Sequence, residues 1–249
     1  MAARSEGDGD ARMKLFAGVE GKARLAGLFI LGAMAARIFG DAVVRAALVV
    51  PGNGRETARN IADYPWLYRA GEGADVAMLC GMIVATALLY ALFVPTGRTL
   101  ARMAAVMSLT GIATLAASGL MTMAPPILLD GAPHPGIGTA EVHSLVQLSL
   151  ALGQAGQGMG RIFIGLYLSL IGLLAFRSGR LPKAVGVGLA LGGFSQMAVR
   201  SAALIAPDMA DATVIQADIV ALLAEAAFAL SLLIFWRPRP FPARSEADL

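Results

Sequence analysis

The chain has 249 residues, 57% of them hydrophobic and 15% charged, with a mean hydropathy of +0.69, against roughly 45–50% apolar and 25% charged in an ordinary soluble domain. That excess excludes a single soluble globule, and apolar runs of about 18 residues or more are each long enough to cross a hydrocarbon core as a helix. The formal charge is only +3, and Lys and Arg are scattered between apolar runs without interleaved aromatics, which excludes a nucleic-acid surface.

In chain order, residues 1–22 mix acids and bases without an apolar period and read as a cytosolic tail. A first span is expected from about Ala23 to Val50. It contains Ala33-Met34-Ala35, a triplet of the kind found at signal-peptide cleavage sites. Acids at Glu6, Asp8, Asp10 and Glu20 precede it and the apolar run continues past it, so the helix is expected to stay uncleaved. After Pro51-Gly52, Asn53 with Glu56 three residues on forms an N-cap and its partner. This predicts a short helix from about Gly54 to Ala62 on the outer surface. Tyr64, Trp66 and Tyr68 come next, where amphipathic rings favour the headgroup level.

The second span is expected over about Arg69 to Val94. It holds the single Cys80, which can form no disulfide within the chain and reads as a packing residue. A third span runs from about Leu100 to Met123. The stretch from Thr139 to Phe176 is too long for one crossing, since 38 residues reach roughly 57 Å as a helix, so it must break, tilt or protrude. Gly153, Gly156, Gly158 and Gly160 lie near its middle, and the 156/160 spacing allows close approach of a neighbouring helix. No strand-loop-helix context surrounds them, which excludes a phosphate cradle. The polar turn Arg177-Ser178-Gly179-Arg180 leads to a fifth span, about Ala184 to Ile205, and a sixth, about Ile215 to Trp236. The expected fold is all-α: an integral membrane bundle of six transmembrane helices over residues 23–236, with cytosolic tails at 1–22 and 237–249.

Lys and Arg of short loops are retained in the cytosol. The N-terminal tail and first helix entry, the second and fourth loops and the C-terminal tail together hold thirteen, whereas the alternate loops hold three, Arg55, Arg59 and Arg69. Both termini are therefore expected inside. The preference for Arg over Lys and the abundance of Ala suggest a GC-rich bacterial genome, and hence a bacterial cytoplasmic membrane.

At Arg24-Leu25-Ala26-Gly27, at Val50-Pro51-Gly52 with Thr57, Asn60 and Ile61, at Phe163-Ile164-Gly165-Leu166 with Gly172, and at Arg177-Ser178-Gly179-Arg180-Leu181-Pro182, the chain resembles a bacterial family. That family is domain of unknown function 4386, multi-pass membrane proteins without an assigned biochemical role. The most specific part is the RSGxLP turn followed by Val185-Gly186-Val187-Gly188. Asn53 departs from the Asp expected after Pro-Gly, and either residue caps a helix. The resemblance implies six spans and an uncleaved first helix, and carries over no catalytic residue.

Cofactor chemistry finds little support. Haem between membrane helices usually needs His or a comparable axial ligand within the spans, and the only histidines are His134 and His143 in a loop. With Asp130 and Glu141 they match no compact metal-ligand spacing, and no GxSxG elbow or Walker motif occurs. No cofactor or metal is expected.

The informative residues are the charges inside or at the ends of the apolar runs: Arg37, Asp41, Arg45, Glu72, Asp75, Arg161, Arg200, Asp218 and Glu225. A charge near the bilayer centre costs at least about 2.5 kcal/mol, so such groups face protein or water. Arg37, Asp41 and Arg45 recur every four residues. So do Gln157 and Arg161, and Gln196 and Arg200, while Asp218 and Glu225 are about two turns apart. At 1.5 Å per residue from the cytosolic flanks, Glu225 lies about 18 Å in, Arg37 about 20 Å, Arg161 about 24 Å, and Arg200 and Asp41 about 26 Å. Glu72 and Asp75 fall near the mouth.

The candidate cluster is Arg37, Asp41, Asp75, Arg161, Arg200 and Glu225, with Glu225 expected to pair with Arg161 or Arg37. Two readings stand. The groups are either interhelical ion pairs that fix register or a polar pocket open to the outside that binds a small polar or charged ligand. The corresponding functions are binding of a small ligand or a membrane protein partner from the outer side, or a small transporter in which Glu225 carries a proton or meets substrate. A membrane enzyme acting on lipid has the least support, because no nucleophile and base constellation is visible.

Overall fold

A computed structural model describes the backbone of residues 3–130, 138–206 and 211–236, and the side chains of 18–130, 138–206 and 213–236. Its regular structure is entirely helical among these residues. Helix α1 (Ala3–Ile38) begins well inside the expected N-terminal tail and continues without a break through a π-helical segment, Phe39–Arg45, into the short α2 (Ala46–Leu48). π-Helical turns hold more residues than α-helical ones and so rotate the side chains beyond them about the axis, and they recur at functional sites.

The chain then turns at Val50-Pro51-Gly52-Asn53. Asn53 N–H donates to Val50 O at 3.1 Å, and Gly52 has φ +75°, which is the type II turn that Pro followed by Gly favours. Helix α3 (Gly54–Asp63) starts there, capped by Asn53 Oδ1 accepting from Glu56 N–H at 3.1 Å. The Glu56 carboxylate accepts from the Asn53 side-chain amide at 2.9 Å, where a capping box would use the backbone amide. Thr57 Oγ1 accepts from Val50 N–H, and Asn60 Nδ2 donates to Leu48 O. These bonds fasten α3 across the end of the first helix.

Helix α4 (Pro65–Phe93) follows, then α5 (Arg98–Thr122), the short α6 (Ala124–Leu129), α7 (Thr139–Ser178), α8 (Lys183–Ile205) and α9 (Asp211–Ile234). The 40-residue α7 does not break. At roughly 60 Å its first turns extend beyond the bundle, where α3 and α6 pack on them. We call the end carrying α3 and α6 distal, and the end carrying the Arg180 turn proximal.

The six long helices close into a ring in chain order, α1, α4, α5, α7, α8 and α9, with α9 returning to α1. Glycines set the closest approaches. On α7 and α8, Gly165 and Gly193 face one another, a Cβ on Gly165 lying 2.6 Å from Gly193 O, and Gly172 faces Gly186, with 2.7 Å to its carbonyl oxygen. Gly111 of α5 and Gly160 of α7 form a similar pair, and Gly153 and Gly156 face Thr122 and Ser118. Such contacts let backbones pack at van der Waals distance without side chains between them.

The proximal half is apolar. Phe93 stacks on Phe228 and meets Trp236 edge-on, among Leu89, Leu174, Leu189 and Leu232, all buried. Arg180 closes this end, donating to Leu92 O at 3.4 Å and lying 5.4 Å above the Trp236 ring; burial lowers its pKa below the usual arginine value.

The chain is thus an all-α membrane bundle. Five helical stretches are long and apolar enough to cross a membrane: Gly18–Leu48, Pro65–Phe93, Arg98–Leu129, Thr139–Ser178 and Thr213–Ile234. The expected fifth span, α8, is 23 residues long, but four glycines with Gln196 and Arg200 dilute its hydropathy. Two expectations are corrected at the side-chain level. Tyr68 is not a headgroup anchor: it is buried and donates its hydroxyl to Thr122 O, whereas Tyr64 and Trp66 are exposed. Cys80 lies on the exposed face of α4 and packs no core.

Candidate functional site

The distal half of the ring contains a connected ion-pair network. In the π-helical segment Asp41 and Arg45 are paired at 2.6 Å, and Arg45 also meets the Asp75 carboxylate of α4. Gly40 leaves space for this contact, since a Cβ there would lie 3.0 Å from Asp75 Oδ1 and 3.2 Å from Arg45 Nη1. Arg161 of α7 donates to Asp41 at 3.0 Å and to Asp218 of α9 at 3.1 Å. Asp218 further accepts from Gln196 Nε2 at 3.1 Å and from both Nε and Nη2 of Arg200. The network therefore joins the first helix, α4, α7, α8 and α9. Helix α5 adds no charge to it and contributes apolar surface.

Most of these side chains are shielded from solvent, Arg161 at 18% exposure and Arg200 at 14%, while Asp41 is more open at 37%. Shared guanidinium and carboxylate contacts are what make a set of desolvated charges tolerable.

Beside the network lies a cavity of about 200 Å³. Its lining combines the polar residues Arg37, Asp41, Arg45, Asp75, Arg161 and Gln196 with apolar ones, Val76, Leu79 and Met82 of α4 and Leu115 and Leu120 of α5. A further void of about 10 Å³ lies distal to it between Tyr68, Gly71 and Thr122, about the size of one water.

Three polar residues that line the cavity, Arg37, Gln196 and Glu72, are not fully paired. Among the described residues Arg37 makes no ion pair or hydrogen bond, although its charge acts on Glu225. Gln196 is 2% exposed, and its Oε1, like Glu72 Oε1, is buried without a partner among the described residues. An unpaired buried acceptor costs free energy comparable to a lost hydrogen bond, so a donor is wanted at both positions.

Of the six sequence candidates, Asp41, Asp75, Arg161 and Arg200 meet in the network and Arg37 lines the cavity. Glu225 does not line it and has no ion pair within reach of Arg161, whose guanidinium is occupied by Asp41 and Asp218. Of the two expected partners of Glu225, Arg161 is taken by Asp218, two turns distal on the same helix, and Arg37 acts on Glu225 through its charge without an ion pair. Arg45, Asp218 and Gln196 carry more of the geometry than the shortlist suggests. The spacing of Gln196 and Arg200 was the available signal for one of them.

No group of three or more His, Cys, Asp or Glu residues arranged to hold a metal exists among the described residues. The loop position His134 lies outside them.

The family described as Domain of unknown function (DUF4386) matches residues 25–236. No curated protein matches the chain, and no solved structure does.

Proposed function

The chain belongs to the DUF4386 family, which brings no assigned activity, and on that premise we propose that it is a binding protein of the bacterial cytoplasmic membrane whose distal cavity holds a small polar ligand. In this reading α8 is a sixth span, the termini are cytosolic and the cavity lies in the outer half. The observation that carries it is a cavity of about 200 Å³ whose lining includes Arg37 and Glu72, neither of which has an ion pair among the described residues. Register-fixing ion pairs alone need neither a void nor unsatisfied groups.

The volume argues for a compact ligand. Small-molecule pockets commonly run from about 300 Å³ upward, and this cavity falls below that range. The transporter reading has less support, because a path inward from the cavity would have to pass the stacked Phe93 and Phe228 through an apolar core.

The test is thermal unfolding of the detergent-purified protein against a panel of water-soluble amines, carboxylates and zwitterions. A ligand at a hundred times its Kd stabilises by about 2.7 kcal/mol, and Arg37→Gln should remove the response. If no compound stabilises the wild type, or if the variant responds equally, the cavity is not such a site.

A further inference from the structure

We infer that the cavity takes the headgroup of a phospholipid, admitted sideways from the bilayer between α4 and α5. This rests on the cavity being a binding site, as proposed above, and adds the ligand class and the route.

The route is set by where the two helices touch. They are tied near their distal ends by Tyr68 and Thr122 and near mid-height by the hydroxyls of Thr86 and Ser108, 2.7 Å apart. The cavity lining on α4 falls within residues 72–82 and that on α5 within 115–123, so it lies between the two ties. Two of the lining residues, Val76 and Leu120, are 48% and 63% exposed on the flank of the bundle. The cavity therefore reaches the apolar side surface. Its distal end, by contrast, is closed by Val44, Leu48, Ile61 and Tyr68 with Leu129 packed against them, with room for about one water beneath.

The walls set the chemistry. A ligand that meets both the network charges and Leu79, Met82 and Leu115 is amphiphilic, and methionine adapts to irregular apolar partners. Arg37 without an ion pair calls for an anion. Glu72, a carboxylate on the same lining without an ion pair or hydrogen bond among the described residues, calls for a donor. A headgroup with a phosphate and N–H donors supplies both. At about 200 Å³ the cavity suits a headgroup whose acyl chains stay in the bilayer.

Choline and ethanolamine heads carry the same charges, but only ethanolamine has N–H donors, which makes the pair a direct test. Native mass spectrometry of the delipidated full-length protein would compare retention of phosphatidylethanolamine and phosphatidylcholine, with soluble glycerophosphoethanolamine as competitor. One phosphatidylethanolamine should be retained with roughly tenfold preference, the scale of one charge-assisted hydrogen bond. Arg37→Gln, which removes the partner of the phosphate that both lipids share, should lower retention of both, and Leu120→Trp, on an exposed position, should lower it by narrowing the entrance. Equal retention of the two lipids, or unchanged behaviour in both variants, overturns the inference. If glycerophosphoethanolamine displaces the lipid at matching concentration, lateral lipid binding falls while a small polar ligand stands. If neither lipid nor competitor binds and no compound stabilises the protein, both readings fall.

Discussion

Asp218 holds one carboxylate against two guanidiniums and an amide, so it should be the least replaceable side chain of the distal half. Removing one partner of a desolvated ionic set strands the others and typically costs about 3–5 kcal/mol. Asp218→Ala should destabilise by about that much in an SDS unfolding titration in mixed micelles. Glu225→Gln, which removes no ion pair, should change stability by less than about 1 kcal/mol in the same assay; the reverse order would contradict the network. The sequence makes this ranking hard to see. Apolar neighbours single out Glu225, yet the rise count puts Asp218 about 28 Å in and Arg161 about 24 Å, against about 18 Å for Glu225. Depth was legible and matched Asp218. Rotation about the helix axis was not, because the π-helical segment Phe39–Arg45 changes the angle per residue along the first helix.

Among the elements, the segments with strong local signals are where reading and structure coincide. Asn53 caps α3, and Pro51-Gly52 makes the turn before it because proline fixes φ and glycine accepts a positive one. The close α5–α7 approach at Gly156 and Gly160 is also as the spacing implies. What local chemistry does not encode is tertiary compensation. Helix α7 continues through four glycines because α5 packs on three of them, outweighing their poor helix propensity of about 1 kcal/mol each relative to Ala. The glycines of α8 are not equivalent either. Gly172 and Gly186 face each other across the α7–α8 contact, whereas a Cβ on Gly188 meets nothing within 4 Å. Gly172→Val should therefore lower the thermal midpoint by several degrees, as overpacking by roughly 1–3 kcal/mol does. Gly188→Val should leave it nearly unchanged, and equal effects would show that the helices do not meet on this face.

At the scale of the molecule, a closed ring separates a polar distal half from a dry proximal one, which suits holding a ligand better than passing it. If the termini are cytosolic, reporter fusions after Leu129 should behave as external and fusions after Gly179 as cytosolic, as the Lys and Arg distribution implies. The opposite result for either would reverse the bundle and place the cavity on the inner side. The central claim, that the cavity is an occupied binding site, is tested most directly by a cryo-EM map of the wild-type protein in nanodiscs made with its own lipids. Density between α4 and α5 that contacts Arg37 and Glu72 is the expected result. A cavity collapsed or filled only by water, with Arg37 turned onto Glu225, would contradict it and leave the ion pairs as structural fastening alone.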